Sequence, residues 1–324
     1  MIKTPIKLRP MRDTFLESVY QLMQKDKNIF FVSADFGSPV LDKIRSNCPG
    51  QFLNVGIAEQ NLINVSAGLA LEGNIVFAYA IAPFITMRCF EQIRVNLALL
   101  SKVRNMNVNL IGVGAGYSYV VSGPTHQCYE DISIIRSLPN VKIYSPSDQI
   151  IAQKIPGKLI KNNGIKYVRL DAQVLDILYT ENNLGTSSGY RILKEGNDLK
   201  IISTGFLTHT ALKVANNLNK FGYSIGVIDL VDITNFNRKK IIKDLDSANI
   251  IVTFEEGFIG RGGIDSIFLN LLNNFKINKK YKSFGVKPDY VFEIGEREYI
   301  HELVGIGPKK IHKELIKLLK EEKK

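Results

Sequence analysis

No run of this sequence reaches the roughly 20 consecutive apolar residues that a membrane-spanning helix requires. Its start, Met1-Ile2-Lys3-Thr4-Pro5, lacks the apolar stretch and small-residue cleavage site of a secretory leader, which predicts a cytoplasmic protein. Cysteine is scarce: Cys48, Cys89 and Cys128 are an odd number at wide spacings and fit neither a disulfide framework nor a zinc site. The net charge is +11, yet the lysines are scattered in pairs such as Lys239-Lys240, Lys279-Lys280 and Lys309-Lys310. No nucleic-acid-binding motif accompanies them, so nucleic acid is not expected as a partner. A phosphorylated ligand or an acidic partner subunit would use the same charge. Internal repeats of the solenoid type are absent as well.

What is present is an ordinary globular composition: 324 residues, 45% hydrophobic and 23% charged, enough for two domains of about 100–200 residues each. The first half alternates helix and strand. Residues 11–26 predict an amphipathic helix with Phe15, Val19, Leu22 and Met23 on one face, followed by the apolar strand Ile29-Phe30-Phe31-Val32 that ends at Ser33-Ala34-Asp35. Next come a strand at 52–55 with a helix at 59–72, a strand at 75–78 with a helix at about 83–100, and a strand at 108–112 leading into a glycine-bearing loop. A helix near 129–137, a strand at 141–144, a helix near 148–162 and a strand at 166–169 complete a pattern that means a doubly wound, mostly parallel sheet. From Tyr179 to Asp198 the chain is polar and turn-rich, which reads as a linker with room for one short hairpin strand. The alternation then restarts, with strands at 199–203, 224–229, 250–254 and 283–287 and helices at about 208–221, 238–246, 263–274 and 308–320. The expected organisation is therefore two α/β domains, 1–178 and 199–324, joined by a linker at 179–198.

Three places carry groups suited to chemistry. Gly56 permits a turn between strand and helix, and Glu59 stands in the first turn of that helix, where a carboxylate is also an ordinary partner for the helix dipole. Phe84, Met87 and Phe90 recur every three residues on the helix expected after Pro83, a stripe that would equally serve as core. Ser122-Gly123-Pro124-Thr125-His126-Gln127 is a turn that presents one of only four histidines.

The order of these pieces resembles one family. Gly-Ile-Ala-Glu-Gln at 56–60, the Pro-Phe helix, Gly-Pro-Thr-His-Gln at 123–127, Leu138-Pro139-Asn140 and Ser145-Pro146-Ser147-Asp148 are similar to the pyrimidine-binding domain of transketolases and deoxyxylulose-phosphate synthases. Phe254-Glu255-Glu256-Gly257 and Gly262-Gly263 are similar to their C-terminal domain, so the resemblance runs from about residue 5 to residue 320. It implies thiamine diphosphate as cofactor and transfer of a two-carbon ketol unit from a ketose donor to an aldehyde acceptor. By carry-over, Glu59 hydrogen-bonds a ring nitrogen of the aminopyrimidine, a task that asks for a carboxyl group shielded from bulk water. Phe84, Met87 and Phe90 would pack on that ring, with Met87 in place of the aromatic residue usual in many transketolases. Asp35 and Ile57 would be further cofactor contacts, and His126 would face the thiazolium and the substrate oxygens.

The family's whole enzymes also carry an upstream Gly-Asp-Gly segment, followed by an asparagine, that holds Mg²⁺ and the diphosphate. This sequence has no Gly-Asp-Gly, no glycine-rich phosphate loop and no room before residue 10 for such a domain. It is therefore expected to be the C-terminal half of a split transketolase, active in an α₂β₂ assembly with a separate diphosphate-binding subunit that supplies the Mg²⁺ ligands. Substrate positions depart from the family pattern. Ser122 replaces an aspartate that reads a donor hydroxyl, Gly112-Val113-Gly114-Ala115-Gly116 replaces a phosphate-reading histidine, and Ser38-Pro39 only approximates a phosphate-contacting serine. Arg169 fits the family's phosphate-binding arginine, though it would equally pair with Asp171. These changes favour a modified or nucleotide-linked sugar alongside ordinary ketose phosphates, and a linear or a branched product stays open. Two alternatives remain: the β subunit of a 2-oxoacid dehydrogenase or a deoxyxylulose-phosphate-synthase-like enzyme, and a non-catalytic scaffold or regulatory subunit.

Overall fold

The computed structural model describes residues 7–180 and 187–322. Two sheets organise it. The first contains β1 (Ile29–Ser33), β2 (Phe52–Asn54), β3 (Ile75–Ile81), β4 (Asn107–Val113), β5 (Val141–Tyr144) and β6 (Gly164–Leu170), all parallel, in the order β2-β1-β3-β4-β6-β5. The second contains β7 (Tyr190–Lys194), β8 (Leu199–Ser203), β9 (Ile225–Leu230), β10 (Ile250–Phe258) and β11 (Lys280–Val286), in the order β11-β10-β8-β9-β7. Only β7 runs antiparallel to its neighbour. The α/β fold with two doubly wound, mostly parallel sheets is as the strand–helix alternation predicts. Tyr190–Lys194, within the turn-rich stretch, is the antiparallel edge strand of the second sheet.

Period-two alternation decides what covers each face of the first sheet. In β3, Val76, Ala78 and Ala80 join a core with Leu62, Ile63, Ala67 and Ala70 of α3 (Glu59–Leu71). Phe77 and Tyr79 point the other way, into a core with Phe15, Leu16 and Val19 of α1 (Met11–Lys25), Val40 and Leu41 of α2 (Pro39–Asn47), and Ile150 and Ile151 of α6 (Gln149–Leu159). Helix α2 escapes the periodicity reading, although Ser38 at its N-cap and Pro39 at its first position are its start signals; the Ser38 hydroxyl accepts from Leu41 N–H at 3.3 Å.

The helix expected at 83–100 is not one regular helix. Residues Phe84–Arg88 and Ile93–Leu99 are π-helical, separated by Cys89 and the short α4 (Phe90–Gln92), and Leu100–Lys102 tightens into a 3₁₀ turn. Side chains compete here for helix carbonyls: Thr86 Oγ1 donates to Ala82 O at 2.7 Å and Cys89 Sγ to Ile85 O at 3.0 Å. The wider π turn removes the expected single face. Helix α5 (Asp131–Arg136) completes the first domain.

The second sheet is covered on one side by α7 (Leu207–Lys220), α10 (Arg297–Val304) and α11 (Pro308–Glu322), and on the other by α8 (Arg238–Leu245) and α9 (Ile264–Asn274). Among the described residues, no helix is long and apolar enough to cross a membrane.

Candidate active site

The candidate residues gather where four neighbouring parallel strands end. The connections leaving β1 and β3 run to opposite sides, so the sheet opens a crevice between their C-terminal ends. Asp35 follows β1 in a left-handed conformation, φ 52°, one that aspartate tolerates better than most residues. Asn54, at the end of β2, holds it there. Its Oδ1 accepts Asp35 N–H at 3.1 Å and Gly56 N–H at 3.0 Å, while its amide donates to Asp35 Oδ1 at 2.8 Å. Gly56, at φ +76°, then turns the chain into α3, with Ile57 exposed and Glu59 as the first helical residue.

Glu59 is only 5% exposed, and its Oε1 accepts from Arg88 Nη1 at 3.0 Å. The Arg88 guanidinium lies over the Phe84 ring, its Cζ 3.8 Å from the centroid. Phe84 also meets the His126 imidazole edge to face, with centroids 5.2 Å apart. Glu59, Arg88, Phe84 and His126 thus form one continuous set of contacts drawn from three separate stretches of chain. Met87 is exposed beside them, whereas Phe90 is half-buried against the hydrophobic core of the first domain. That parting follows from the π-helical turn.

The histidine turn is built as its sequence suggests. Gly123, at φ +71°, opens it, and its carbonyl accepts the N–H groups of His126 at 3.1 Å and Gln127 at 3.2 Å. His126 Nδ1 shares a hydrogen bond with Thr125 Oγ1 at 2.9 Å, and Ser122 stands exposed just before the turn.

Arg169 does not join this set of contacts. It is buried, and Asp131 takes its guanidinium in a bidentate pair, Nε at 2.8 Å and Nη2 at 3.1 Å. Asp171, the alternative partner, instead receives Arg297 at 2.5 Å. Ser38 is occupied as the cap of α2. Arg88 and Asn54 were not singled out by sequence reasoning. Arg88 sits in an apolar stretch, and only its place four residues after Phe84 signals a contact across one helical turn.

Models of the transketolase pyrimidine-binding domain and the transketolase C-terminal domain match residues 9–176 and 189–311. The chain belongs to the transketolase family. It is 30% identical over 326 residues to a putative transketolase C-terminal section of Methanocaldococcus jannaschii, covering 99% of this chain and 100% of that one. It is 28% identical to the 6-deoxy-6-sulfo-D-fructose transketolase subunit SqwH of a Clostridium species, covering 93% and 92% of the two chains. A solved split-gene transketolase, described as an inactive β4 tetramer, superposes with a TM-score of 0.85 at 27% identity, covering 96% of this chain and 99% of that one. This chain is thus a transketolase-family member that corresponds to the C-terminal subunit of split enzymes, a family whose cofactor is thiamine diphosphate.

Proposed function

We propose that this chain is the pyrimidine-binding subunit of a split transketolase and that it moves a two-carbon ketol unit from a ketose to an aldehyde together with a diphosphate-binding partner in an α₂β₂ assembly. The contact set Glu59–Arg88–Phe84–His126 carries the reading. In it, the planar Arg88 guanidinium lies on Phe84 and donates to Glu59, the same two interactions that a flat aminopyrimidine ring would make. The residues present therefore fit that end of the cofactor.

Thiamine diphosphate, when bound, supplies the carbanion chemistry that accepts and releases the two-carbon unit. Phe84 and Met87 would hold its pyrimidine, with Ile57 and Asp35 at the edge of the same crevice and Phe90 backing it from the core. Glu59 would hydrogen-bond the ring nitrogen through Oε1, in a position shielded from bulk water. His126 would donate a hydrogen bond to, or take a proton from, the substrate oxygens, while Ser122 reads the donor. Mg²⁺ and the diphosphate would be held by the partner. With the Arg169 guanidinium engaged by Asp131, one group that would read a terminal phosphate already has a partner, which supports a modified or nucleotide-linked sugar on one side of the transfer.

Glu59→Gln in the reconstituted two-subunit complex is the decisive measurement. Ketol transfer should fall about 10²–10⁴-fold with assembly intact. Full activity without the carboxylate would exclude the proposed chemistry, and enzyme-like activity of this chain alone with thiamine diphosphate and Mg²⁺ would exclude the split assembly.

A further inference from the structure

The loop that carries Ser122 and His126 leaves β4 and is pinched shut at its base. Gly116 N–H donates to Cys128 O, and Cys128 N–H to Gly116 O, each at 2.9 Å, so residues 117–127 form a closed excursion. The base rests on the second domain. Gly116, at φ +59°, has no side chain, and the Glu256 carboxylate of β10 occupies the space that a Cβ there would need. Glu256 is gripped by Arg297, at the start of α10, through Nε at 2.9 Å and Nη2 at 2.6 Å, and by His301 at 2.5 Å.

The same guanidinium reaches back to the first domain. Its Nη1 donates to Asp171 Oδ2 at 2.5 Å and to Gln173 Oε1 at 3.2 Å, and its Cζ lies over the Phe206 ring, 3.6 Å from the centroid. Asp171 and Gln173 in turn hold the loop. Ser118 Oγ donates to Asp171 Oδ1 at 2.9 Å and accepts Ala172 N–H at 2.9 Å, and Ser118 O accepts from Gln173 Nε2 at 3.1 Å. Tyr117, the neighbour of Ser118, packs edge to face on His301 with centroids 5.6 Å apart. Arg297, Glu256, Asp171, Ser118 and His301 are all buried, so water does not compete for these bonds.

We infer that Arg297 is a positioning residue of the second domain that sets the histidine loop, and through it His126, against the crevice of the first domain. The inference rests on the reading of His126 as a substrate-facing group. Its physical basis is that a closed loop fixed only at its neck has many tip positions, whereas ties at Gly116, Tyr117 and Ser118 leave few. A displacement of about 1 Å at a reacting group costs up to ~10²-fold in rate.

Two variants of the full chain test it, Arg297→Gln and Ser118→Ala, the second removing the two bonds of the Ser118 hydroxyl while leaving the buried ion pairs in place. Amide hydrogen exchange across residues 114–128 should accelerate about tenfold or more in both. In the complex reconstituted with the partner subunit, kcat should fall roughly 10–100-fold, with thiamine diphosphate affinity within about twofold of wild type, because the pyrimidine contacts lie outside the loop. Unchanged exchange in the loop, or unchanged kcat despite faster exchange, overturns the inference. Should Arg297→Gln fail to fold, Ser118→Ala decides alone. His126→Ala measured alongside separates the two ideas: wild-type turnover in that variant would sink the reading of the site, and loop exchange would still judge the tether.

Discussion

A carboxylate that is to share a proton with a ring nitrogen cannot do so while a guanidinium holds the same oxygen. Arg88 donates to Glu59 Oε1 and covers Phe84, so it must withdraw before a pyrimidine can take either contact. The two partners differ in exposure, 48% for Arg88 against 5% for Glu59, and the long arginine chain has solvent on one side to move into. A half-exposed ion pair of this kind is worth no more than about 1 kcal/mol, so it competes with a ligand without blocking it. Arg88→Ala should therefore tighten thiamine diphosphate binding to the assembled enzyme by about two- to fivefold, measured by calorimetric titration. Weaker binding of similar size would make Arg88 a ligand of the cofactor and not its competitor. Asn54 belongs to the same scale: one amide sets both the left-handed turn at Asp35 and the turn at Gly56 that delivers Glu59.

At the scale of elements, β10 places two adjacent glutamates in opposite electrostatic settings, as neighbouring strand residues face different sides. Burial pushes Glu255 up from 4.5 to about 7, only partly offset by the Ile264 N–H and by Arg169. Burial pushes Glu256 up as well, but the charges of Arg297 and His301 and their hydrogen bonds outweigh it and hold the group at about 2. The signs oppose each other. Glu256 contributes stability above pH 4.5 that is lost as pH falls toward 2, whereas Glu255 binds its proton more tightly folded than unfolded and costs stability as pH rises from 4.5 to 7. Glu255→Gln should remove that falling limb, gaining on the order of 3 kcal/mol over wild type between pH 5 and pH 8 in denaturant unfolding. Parallel pH curves for the two proteins would overturn the assignment. The sequence reveals these elements unequally. Strands such as 29–33 and 75–81 are legible because an apolar run has one physical explanation in a parallel sheet. The run 83–100 is misread as one helix because Thr86 and Cys89 redirect carbonyls, a local competition that periodicity does not register. The partners of Arg169 and Arg297 are invisible for a different reason: Asp131 lies 38 residues before Arg169 and Asp171 lies 126 before Arg297, and only the folded chain brings them together.

Taken whole, the molecule has a seam that several polar groups bridge. Arg297 joins Glu256 to Asp171, Arg136 donates to the carbonyl of Gly263 at 3.1 Å, and Ile233 N–H donates to Ile143 O at 2.9 Å. Asp229 accepts from Ser147 Oγ at 2.5 Å on the first-sheet side, from Tyr179 Oη at 2.6 Å, and from Thr208 Oγ1 at 2.8 Å on the second. One hydrophobic core also runs through the seam, with Ile135 and Ile143 of the first domain in the same cluster as Ile233 and Ile267 of the second. Parting the domains would break each of these cross-seam bonds, at about 1 kcal/mol apiece. Chains of two domains commonly melt in two steps; this one should melt in a single calorimetric transition. Ser147→Ala tests the coupling directly, since the hydroxyl belongs to one domain and its acceptor to the other. The loss of one such bond, about 1 kcal/mol, should shift the whole endotherm down by about 2 °C and leave it undivided. Were the endotherm to split, or only part of it to move, the domains would be independent, and a loop position set by Arg297 from the second domain could not be transmitted to His126 in the first.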